Sequence, residues 1–228
     1  VFQNVNTSIS SVLFPAMSKV QSNRETIRQM MRRSIKTTSF VMLPILMGIM
    51  AIAEPLVLTL LTEKWKLAIP YLQLYCLFYM IQPIQTANLQ ALTAIGRSDI
   101  TFKLEVLKRT LSIVVLLLSV PFGVMAIAIT NVFSSYLRSL INAFPNKKLF
   151  GYSFAMQLKD IAPAFILSVV MAGIVWLTGS ILPFSNLVNL IIEVVIGIIV
   201  YVSLTLLFKV DSLFYLWDII KGYITKKK

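Results

Sequence analysis

The sequence predicts an all-α integral membrane protein, a polytopic helix bundle of about six full transmembrane helices and one partial helix. Its composition supports this class, because 57% of the residues are hydrophobic and 13% are charged, whereas about 25% charged residues is usual in soluble globular domains. The charged residues are also concentrated in short segments between long apolar stretches. The net charge of +12 is therefore explained by Lys and Arg retained on the cytoplasmic side of a membrane, and no nucleic-acid partner is predicted.

Residues 1–17 are predicted to be the end of a transmembrane helix. Asn4, Ser8 and Ser11 recur on one helical face of this apolar segment, and polar groups within a membrane helix usually face protein or water. Asn4 is therefore a candidate for a substrate path; the alternative is a loop that enters the membrane surface. Because the chain starts with Val1 inside an apolar pattern, we interpret it as the C-terminal portion of a longer membrane protein.

Residues 18–36 are predicted to be a cytoplasmic basic amphipathic loop, and this segment orients the whole bundle. Its Lys and Arg residues outnumber the single acid, Glu25, and it directly precedes an apolar run, as is typical of the cytoplasmic end of a membrane helix. Ser22 and Glu25 have the spacing of a capping box, which predicts that a helix starts near Asn23. The apolar face of this helix, which we expect to lie on the anionic inner leaflet, consists of Ile27, Met30, Met31 and Ile35.

Four transmembrane helices are predicted within residues 37–144, at residues 37–61, 67–96, 103–120 and 124–144. Pro44 or Gly48 is expected to kink the first of them, and Pro83 the second. A hairpin turn at Pro121 is expected to separate the last two; the alternative is a single kinked helix, which would reverse the orientation of everything after it. This division keeps the Lys residues that follow on the same side of the membrane as the earlier ones.

The C-terminal part is divided into a cytoplasmic loop at residues 145–160, two additional transmembrane helices at residues 161–208 and a cytoplasmic basic tail at residues 209–228. In this arrangement all Lys and Arg residues except Lys64 and Lys66 lie on one side of the membrane. The predicted topology therefore places the C-terminus in the cytoplasm.

Arg138 is an intramembrane charge on the helix predicted at residues 124–144. It shares a narrow polar stripe with Asn131, Ser135 and Asn142 at helical spacing. A guanidinium offers a planar fork of donors that suits phosphate, so this stripe is a candidate path for an anionic head group. The alternative is that Arg138 snorkels to the phosphates of membrane lipids at the inner boundary.

A second polar stripe, with Gln82, Gln85 and Gln90, lies in the helix predicted at residues 67–96. Amides that face lipid are costly, so this stripe should face protein or water, and both substrate contact and helix–helix hydrogen bonding fit it. Glu193 in the last predicted helix is a candidate for binding a coupling proton or sodium ion. The alternative is a pair with a polar group on a neighbouring helix.

No pattern in the sequence indicates an enzyme. There is no histidine, which excludes histidine-based metal sites and general bases, and the one cysteine, Cys76, cannot form an intrachain disulfide. No Ser-His-Asp set, metal-ligand cluster or P-loop pattern stands out. We therefore predict no catalytic residues, no metal and no cofactor.

Several motifs in the first half of the chain resemble a known transporter family. They are Val12-Leu13-Phe14-Pro15-Ala16-Met17-Ser18-Lys19, Leu43-Pro44-Ile45, Ala53-Glu54-Pro55-Leu56, Glu63-Lys64-Trp65, Leu89-Gln90-Ala91 and Gly96-Arg97-Ser98-Asp99. Together they are similar to the C-terminal half of Wzx-type polysaccharide flippases, the O-antigen and colanic acid exporters of the multidrug/oligosaccharidyl-lipid/polysaccharide (MOP) superfamily. The resemblance covers residues 1–109, with Thr62 at a position where the family usually has glycine.

The resemblance implies the second half of a MATE/MOP-like two-lobe transporter in the bacterial inner membrane. Such a flippase translocates polyprenyl-diphosphate-linked oligosaccharides for lipopolysaccharide, capsule or exopolysaccharide biosynthesis. Its implied partners are the lipid-linked oligosaccharide, membrane lipids, and proteins of polysaccharide polymerisation and export. The alternatives are a cation-coupled multidrug or metabolite antiporter of the same superfamily, a lipid II flippase, and a non-transporting membrane scaffold of a glycan-synthesis complex.

Overall fold

The computed structural model describes residues 11, 13–182, 185–210, 212, 213 and 221. These residues contain no β-strand, which agrees with the predicted all-α class. The helices are α1 (Arg24–Ala51), α2 (Ala53–Leu60), α3 (Ile69–Met80), α4 (Gln82–Ala94), α5 (Ser98–Ser119), α6 (Val124–Phe150), α7 (Phe154–Ile181) and α8 (Asn186–Leu207). Residues 13–18 are also helical, and short 3-10 turns occur at Glu63–Ala68 and Val120–Phe122.

Five segments of the described residues are long and apolar enough to cross a membrane. They are Arg24–Ala51, Glu63–Ala94, Val124–Phe150, Phe154–Ile181 and Asn186–Leu207. A further long helix, α5, has 22 residues, and at about 1.5 Å per residue its length also approaches the thickness of the hydrocarbon core. Its first half is charged, with Lys103, Glu105, Lys108 and Arg109. The chain is thus a multi-span membrane protein, as the composition predicts.

Three interruptions of the long apolar stretches are each followed closely by a proline. A proline has no N–H, so it cannot donate a hydrogen bond to the carbonyl four residues earlier in a helix. The described helices are interrupted at Ile52, Ile81 and Val120, just before Pro55, Pro83 and Pro121.

The first apolar span contains an interruption that the sequence analysis does not predict. Helix α1 runs without interruption past Pro44 and Gly48 and ends at Ala51. The break falls at Ile52, where Pro55 cannot donate to the carbonyl of Ala51.

Helix α1 begins at Arg24, near the predicted start, but its cap differs from the prediction. Asn23 Oδ1 accepts a hydrogen bond from the backbone N–H of Thr26 at 3.0 Å. Asn23 therefore caps the helix instead of Ser22. Glu25 forms an exposed ion pair with Arg28 at 3.4 Å.

The apolar face of the basic segment is buried in protein. Ile27, Met31 and Ile35 each have 0% of their surface exposed, whereas Arg32 and Arg33 on the opposite face are exposed. The expectation that this face lies on the inner leaflet is therefore wrong. Packing within the protein removes most of this apolar surface from solvent, and Met30 remains half-buried.

The segment expected as a loop at residues 145–160 is mostly helical. Helix α6 continues to Phe150 and α7 starts at Phe154, so three residues, 151–153, connect them. Gly151 ends α6 with a φ of +66°, in the left-handed region that favours glycine, and its N–H donates to the carbonyl of Lys147 at 3.1 Å. Lys147 and Lys148 lie in the last turn of α6, where positive charge interacts favourably with the helix C-terminus.

The chain forms two compact units. The first contains the described residues up to Ile35 and Leu74–Asp160, and the second contains Lys36–Gln73 and the described residues from Ile161 onward. Within the first unit α4, α5 and α6 pack on one another, and within the second α2 packs on α8.

A buried cluster of amides joins α4, α6 and the start of α7 in the first unit. Asn88 Nδ2 donates to Gln157 Oε1 at 2.8 Å, and Gln157 Nε2 donates back to Asn88 Oδ1 at 2.9 Å. Asn146 Nδ2 donates to the same Asn88 oxygen at 3.0 Å. All three side chains have 0% exposure, so these hydrogen bonds replace much of the solvent that the amides lose on burial, although Asn146 Oδ1 has no partner among the described residues.

An ion pair joins α1 to the start of α7, also within the first unit. Arg32 Nε lies 2.9 Å from both carboxylate oxygens of Asp160, and the Tyr152 hydroxyl donates to Asp160 Oδ2 at 2.8 Å. Burial, reinforced by this hydrogen bond, raises the pKa of Tyr152, so its hydroxyl stays protonated and remains a donor. These contacts hold the connection between α6 and α7 against α1.

In the second unit, an aromatic contact joins α1 to α8. The Tyr201 hydroxyl donates to the carbonyl of Phe40 at 2.8 Å, and the two ring centroids are 5.4 Å apart. The apolar ring is thereby buried while its polar group keeps a partner.

The amide cluster leads to a stability prediction. Replacing Asn88 with Leu should lower the free energy of unfolding by roughly 1–3 kcal/mol, because Asn146 and Gln157 would remain buried without this partner. Thermal unfolding of the purified protein in detergent measures the effect. The control is Asn131→Leu, an exposed asparagine on α6. Equal unfolding temperatures for the two variants would show that the cluster adds nothing to stability.

Candidate functional site

A polar cavity lies between α4, α5 and α6 in the first unit. Its volume is about 530 Å³, within the usual range of about 300–1,000 Å³ for ligand sites. It is lined by Gln82, Gln85, Thr86, Leu89, Glu105, Lys108, Arg109, Ser112, Ile113, Arg138 and Asn142. We call it the cationic cavity, because its basic side chains outnumber its single acid.

Arg138 is positioned by neutral groups. Its Nη1 donates to Ser112 Oγ at 3.0 Å, and its guanidinium carbon lies 5.8 Å from the centroid of the Phe78 ring. Ser112 in turn donates its hydroxyl to the carbonyl of Lys108 at 2.8 Å. A hydroxyl and an aromatic face orient the guanidinium without cancelling its charge, so the charge is available to an anion.

Lys108 supplies a second positive charge on the α5 wall. It is 8% exposed and forms an ion pair with Glu105, one turn earlier on the same helix. Arg109, the next residue, is exposed at the edge of the cavity. The α5 wall is therefore basic, with one acid paired to its most buried cation.

The opposite wall is held by hydrogen bonds between α4, α6 and the end of α3. Gln85 Nε2 donates to the carbonyl of Ser135 at 3.0 Å and to its hydroxyl at 3.1 Å. Ser135 Oγ donates to the carbonyl of Phe78 at 3.4 Å, and the Tyr136 hydroxyl donates to the carbonyl of Leu77 at 3.2 Å. Both carbonyls belong to the last turn of α3, where a helix leaves acceptors unsatisfied.

Asn142 gives this wall an available acceptor. It is 3% exposed, and its Oδ1 has no hydrogen-bond partner among the described residues. A buried amide oxygen without a donor is costly unless a ligand or water supplies one. Together with Gln82 and Thr86, it presents groups that can bond sugar hydroxyls.

A smaller crevice of about 260 Å³ adjoins the cationic cavity. Its polar lining consists of Ser112, Ser119, Thr130, Asn131, Ser134 and Arg138. Ser112 and Arg138 line both spaces. The polar surface between α5 and α6 therefore extends from Glu105 to Ser119, about 20 Å along a helix at ~1.5 Å per residue.

The structure gathers several of the residues singled out in the sequence. Gln82, Gln85, Arg138 and Asn142 line the cationic cavity, and Asn131 lines the adjoining crevice. Ser135 is buried behind the wall, bonded to Gln85. Gln90 lines neither space, and Asn4 lies outside the described residues.

Sequence reasoning missed the α5 wall. A helix is predicted at residues 103–120, and α5 begins five residues earlier, at Ser98, but none of its charged residues was singled out as a site candidate. The available signal was the spacing of Glu105, Lys108 and Ser112, three and four residues apart, which places them on one helical face.

Glu193, the predicted ion-coupling residue, lies in the second unit. It is 4% exposed, and its Oε2 has no hydrogen-bond partner among the described residues. Its other oxygen packs against Gly179 on α7, so closely that a Cβ at that position would overlap it. Glu193 is also one of the residues that line a mainly apolar cavity of about 360 Å³, together with Gly48, Met171 and Tyr201. A pair with a polar group of a neighbouring helix is not seen in the described part of the chain.

The close contact predicts different effects for two glycines of α7. Gly179→Ala should destabilise the protein by about 1–3 kcal/mol, because the new methyl group would displace the Glu193 carboxyl. Gly173→Ala is the control, since nothing lies within 4 Å of a Cβ built there. Thermal unfolding compares them.

A second substitution tests the cause. Combining Gly179→Ala with Glu193→Ala should recover part of the lost stability, because the overlap is removed. Additive effects of the two changes would mean that the overlap is not the reason for the loss.

The comparisons with known proteins agree with this architecture. Residues 1–70 match a family model described as a polysaccharide biosynthesis protein. The chain is 27% identical over 186 residues to the lipopolysaccharide biosynthesis protein WzxC of Escherichia coli (strain K12), covering 78% of this chain and 37% of that protein. It is 20% identical over 205 residues to the probable low-salt glycan biosynthesis flippase Agl15 of Haloferax volcanii, covering 89% of this chain and 43% of that protein.

A solved structure shows the same fold. The lipid II flippase MurJ, in an inward closed conformation, superposes with a TM-score of 0.73 at 20% sequence identity, covering 96% of this chain and 45% of that chain. The chain thus spans less than half the length of each of these proteins. The comparisons confirm the resemblance to polysaccharide flippases that the sequence motifs predict.

Proposed function

We propose that this chain is the C-terminal portion of a flippase that moves a polyprenyl-diphosphate-linked oligosaccharide across the bacterial inner membrane for surface polysaccharide synthesis. The observation that supports this most directly is the cationic cavity, a charged and polar site built inside a membrane protein. The relatives named for polysaccharide and glycan biosynthesis point to the same class of cargo.

The physical requirement is a polar path through hydrocarbon. A diphosphate with attached sugars cannot shed its hydration in a bilayer without replacement contacts, because burying an unpaired charge is prohibitively costly. The polar surface between α5 and α6 supplies such contacts, while the polyprenyl chain remains in lipid. A site of this kind needs cations for the diphosphate and neutral donors and acceptors for the sugars.

The two walls divide these roles. Arg138 and Lys108 would bind the diphosphate, since both charges are partly buried and a guanidinium bonds two phosphate oxygens at once. The wall formed by Gln82, Gln85 and Asn142 would bond sugar hydroxyls.

The charge pattern supports an orientation with the C-terminus in the cytoplasm, because the Lys and Arg residues are then retained on the inner side. Labelling of Lys147 or Lys148 from outside intact cells would contradict it. In the second unit, Glu193 would bind the coupling cation, since it is buried without a countercharge. Unchanged export by a folded Glu193→Gln protein would exclude that role.

Substitution of Arg138 tests the proposed function. In the full-length protein, Arg138→Gln should reduce surface polysaccharide export about tenfold to a hundredfold, the range expected when a charge-assisted hydrogen bond is lost. Arg138→Lys should be intermediate, because it keeps the charge but not the fork. Export is measured in a strain that lacks its own flippase.

The matched control is Lys103→Gln, which removes an exposed positive charge from α5 outside the cavity and should leave export unchanged. Full export by a folded Arg138→Gln protein would contradict the transport role of this cavity. That result would favour a scaffold of a glycan-synthesis complex.

A further inference from the structure

The one acid of the cationic cavity is unexpected in a site for an anion. Glu105 lines the cavity and forms an ion pair with Lys108. A carboxylate at this position repels a diphosphate and reduces the net positive charge that attracts it. If tight binding were the whole purpose of the site, this position would favour a neutral residue.

The two partners differ in how freely they can move. The Lys108 side chain is 10% exposed, whereas the Glu105 side chain is 41% exposed. A buried cation without a partner is strongly unfavourable, but a half-exposed carboxylate can turn into water at little cost. Lys108 therefore needs an anion at all times, and Glu105 can leave.

We propose that Glu105 is a release-determining residue: it competes with the diphosphate of the cargo for Lys108 and takes the cargo's place when it departs. This inference rests on the proposed function. On arrival the diphosphate displaces the Glu105 carboxylate from the Lys108 ammonium, and on departure the carboxylate returns. Lys108 is then never left buried and unpaired, so the departure of the cargo avoids that penalty.

The exchange matters because a transporter has to let its cargo go. Contacts strong enough to desolvate a diphosphate would also hold it, and transport requires binding that is favourable for entry yet weak enough for exit. Arg138 is oriented by Ser112 and the Phe78 ring. It forms no ion pair with an acidic side chain among the described residues. It provides the attraction, and the Glu105–Lys108 pair provides the reversibility.

The experiment measures binding and export separately on the full-length protein. Binding uses inorganic pyrophosphate as the probe, titrated by calorimetry into purified protein at low salt. Glu105→Gln should bind pyrophosphate about tenfold more tightly, because a nearby like charge has been removed. The same variant should export polysaccharide more slowly, because release is slowed. Glu105→Asp keeps the charge and should restore both values towards wild type.

The matched control is Glu25→Gln. Glu25 and Arg28 have the same three-residue spacing and acid-before-base order as Glu105 and Lys108, but they lie outside the cavity, and their side chains are 61% and 32% exposed. This variant should change neither affinity nor export. A double-mutant cycle with Lys108→Gln guards against misfolding, since Glu105→Gln should have little further effect on affinity once Lys108 is neutral.

The outcomes separate the inference from the proposed function. If wild-type protein binds no pyrophosphate, or binds it equally well after Arg138→Gln, the proposed function fails and the inference with it. If Arg138→Gln weakens binding but Glu105→Gln leaves it unchanged or weaker, the inference alone fails. A purely structural ion pair would give that second pattern. Tighter binding with slower export, abolished in the Lys108→Gln background, supports the exchange.

Discussion

The helix break before Pro83 determines how the first unit is assembled. The end of α3 leaves carbonyls without helical donors, and in a membrane no water is available to bond them. Ser135 and Tyr136 of α6 supply these donors, while Gln85 bonds back to Ser135. These bonds set α6 against both halves of the broken span. Arg138 lies one turn from Ser135 on the same helix, so its position follows from this arrangement. The cavity therefore depends on the interruption of the helix at Ile81.

Much of this architecture could be predicted from the sequence because it depends on local patterns. Hydropathy identifies the apolar spans, and the missing N–H of proline explains the breaks at Ile81 and Val120. The stripe of Arg138 and Asn142 emerges from helical spacing alone, and both residues line the cavity. Helical periodicity shows which residues share a face of a helix. It therefore predicts site residues correctly when the residues of one such face line the cavity.

The other features of the fold and the site depend on contacts between segments that are distant in sequence. Helical periodicity gives no information about such contacts. The start of α1 has the pattern of a membrane-surface helix, but Ile27, Met31 and Ile35 on its apolar side are fully buried. Asn88 fell outside the predicted glutamine stripe because it belongs to the core, where Asn146 and Gln157 bond it. Lys108 lies within the helix predicted at residues 103–120, but it was not singled out, because charges near the end of a span usually mark a boundary. Helix α5 extends from Ser98 through these charges, and Lys108 lines the cavity.

The first turns of α7 belong to the first unit, because their side chains form hydrogen bonds and an ion pair with residues of that unit. Gln157 forms a hydrogen bond with Asn88, and Asp160 pairs with Arg32. The boundary between the two units therefore does not coincide with the loop at residues 151–153 that connects α6 to α7. Chimeras that exchange the last two helices between related proteins would therefore lose native partners if joined at that loop. A junction placed after Asp160 would keep both pairs intact and let the donor helices begin where the second unit begins.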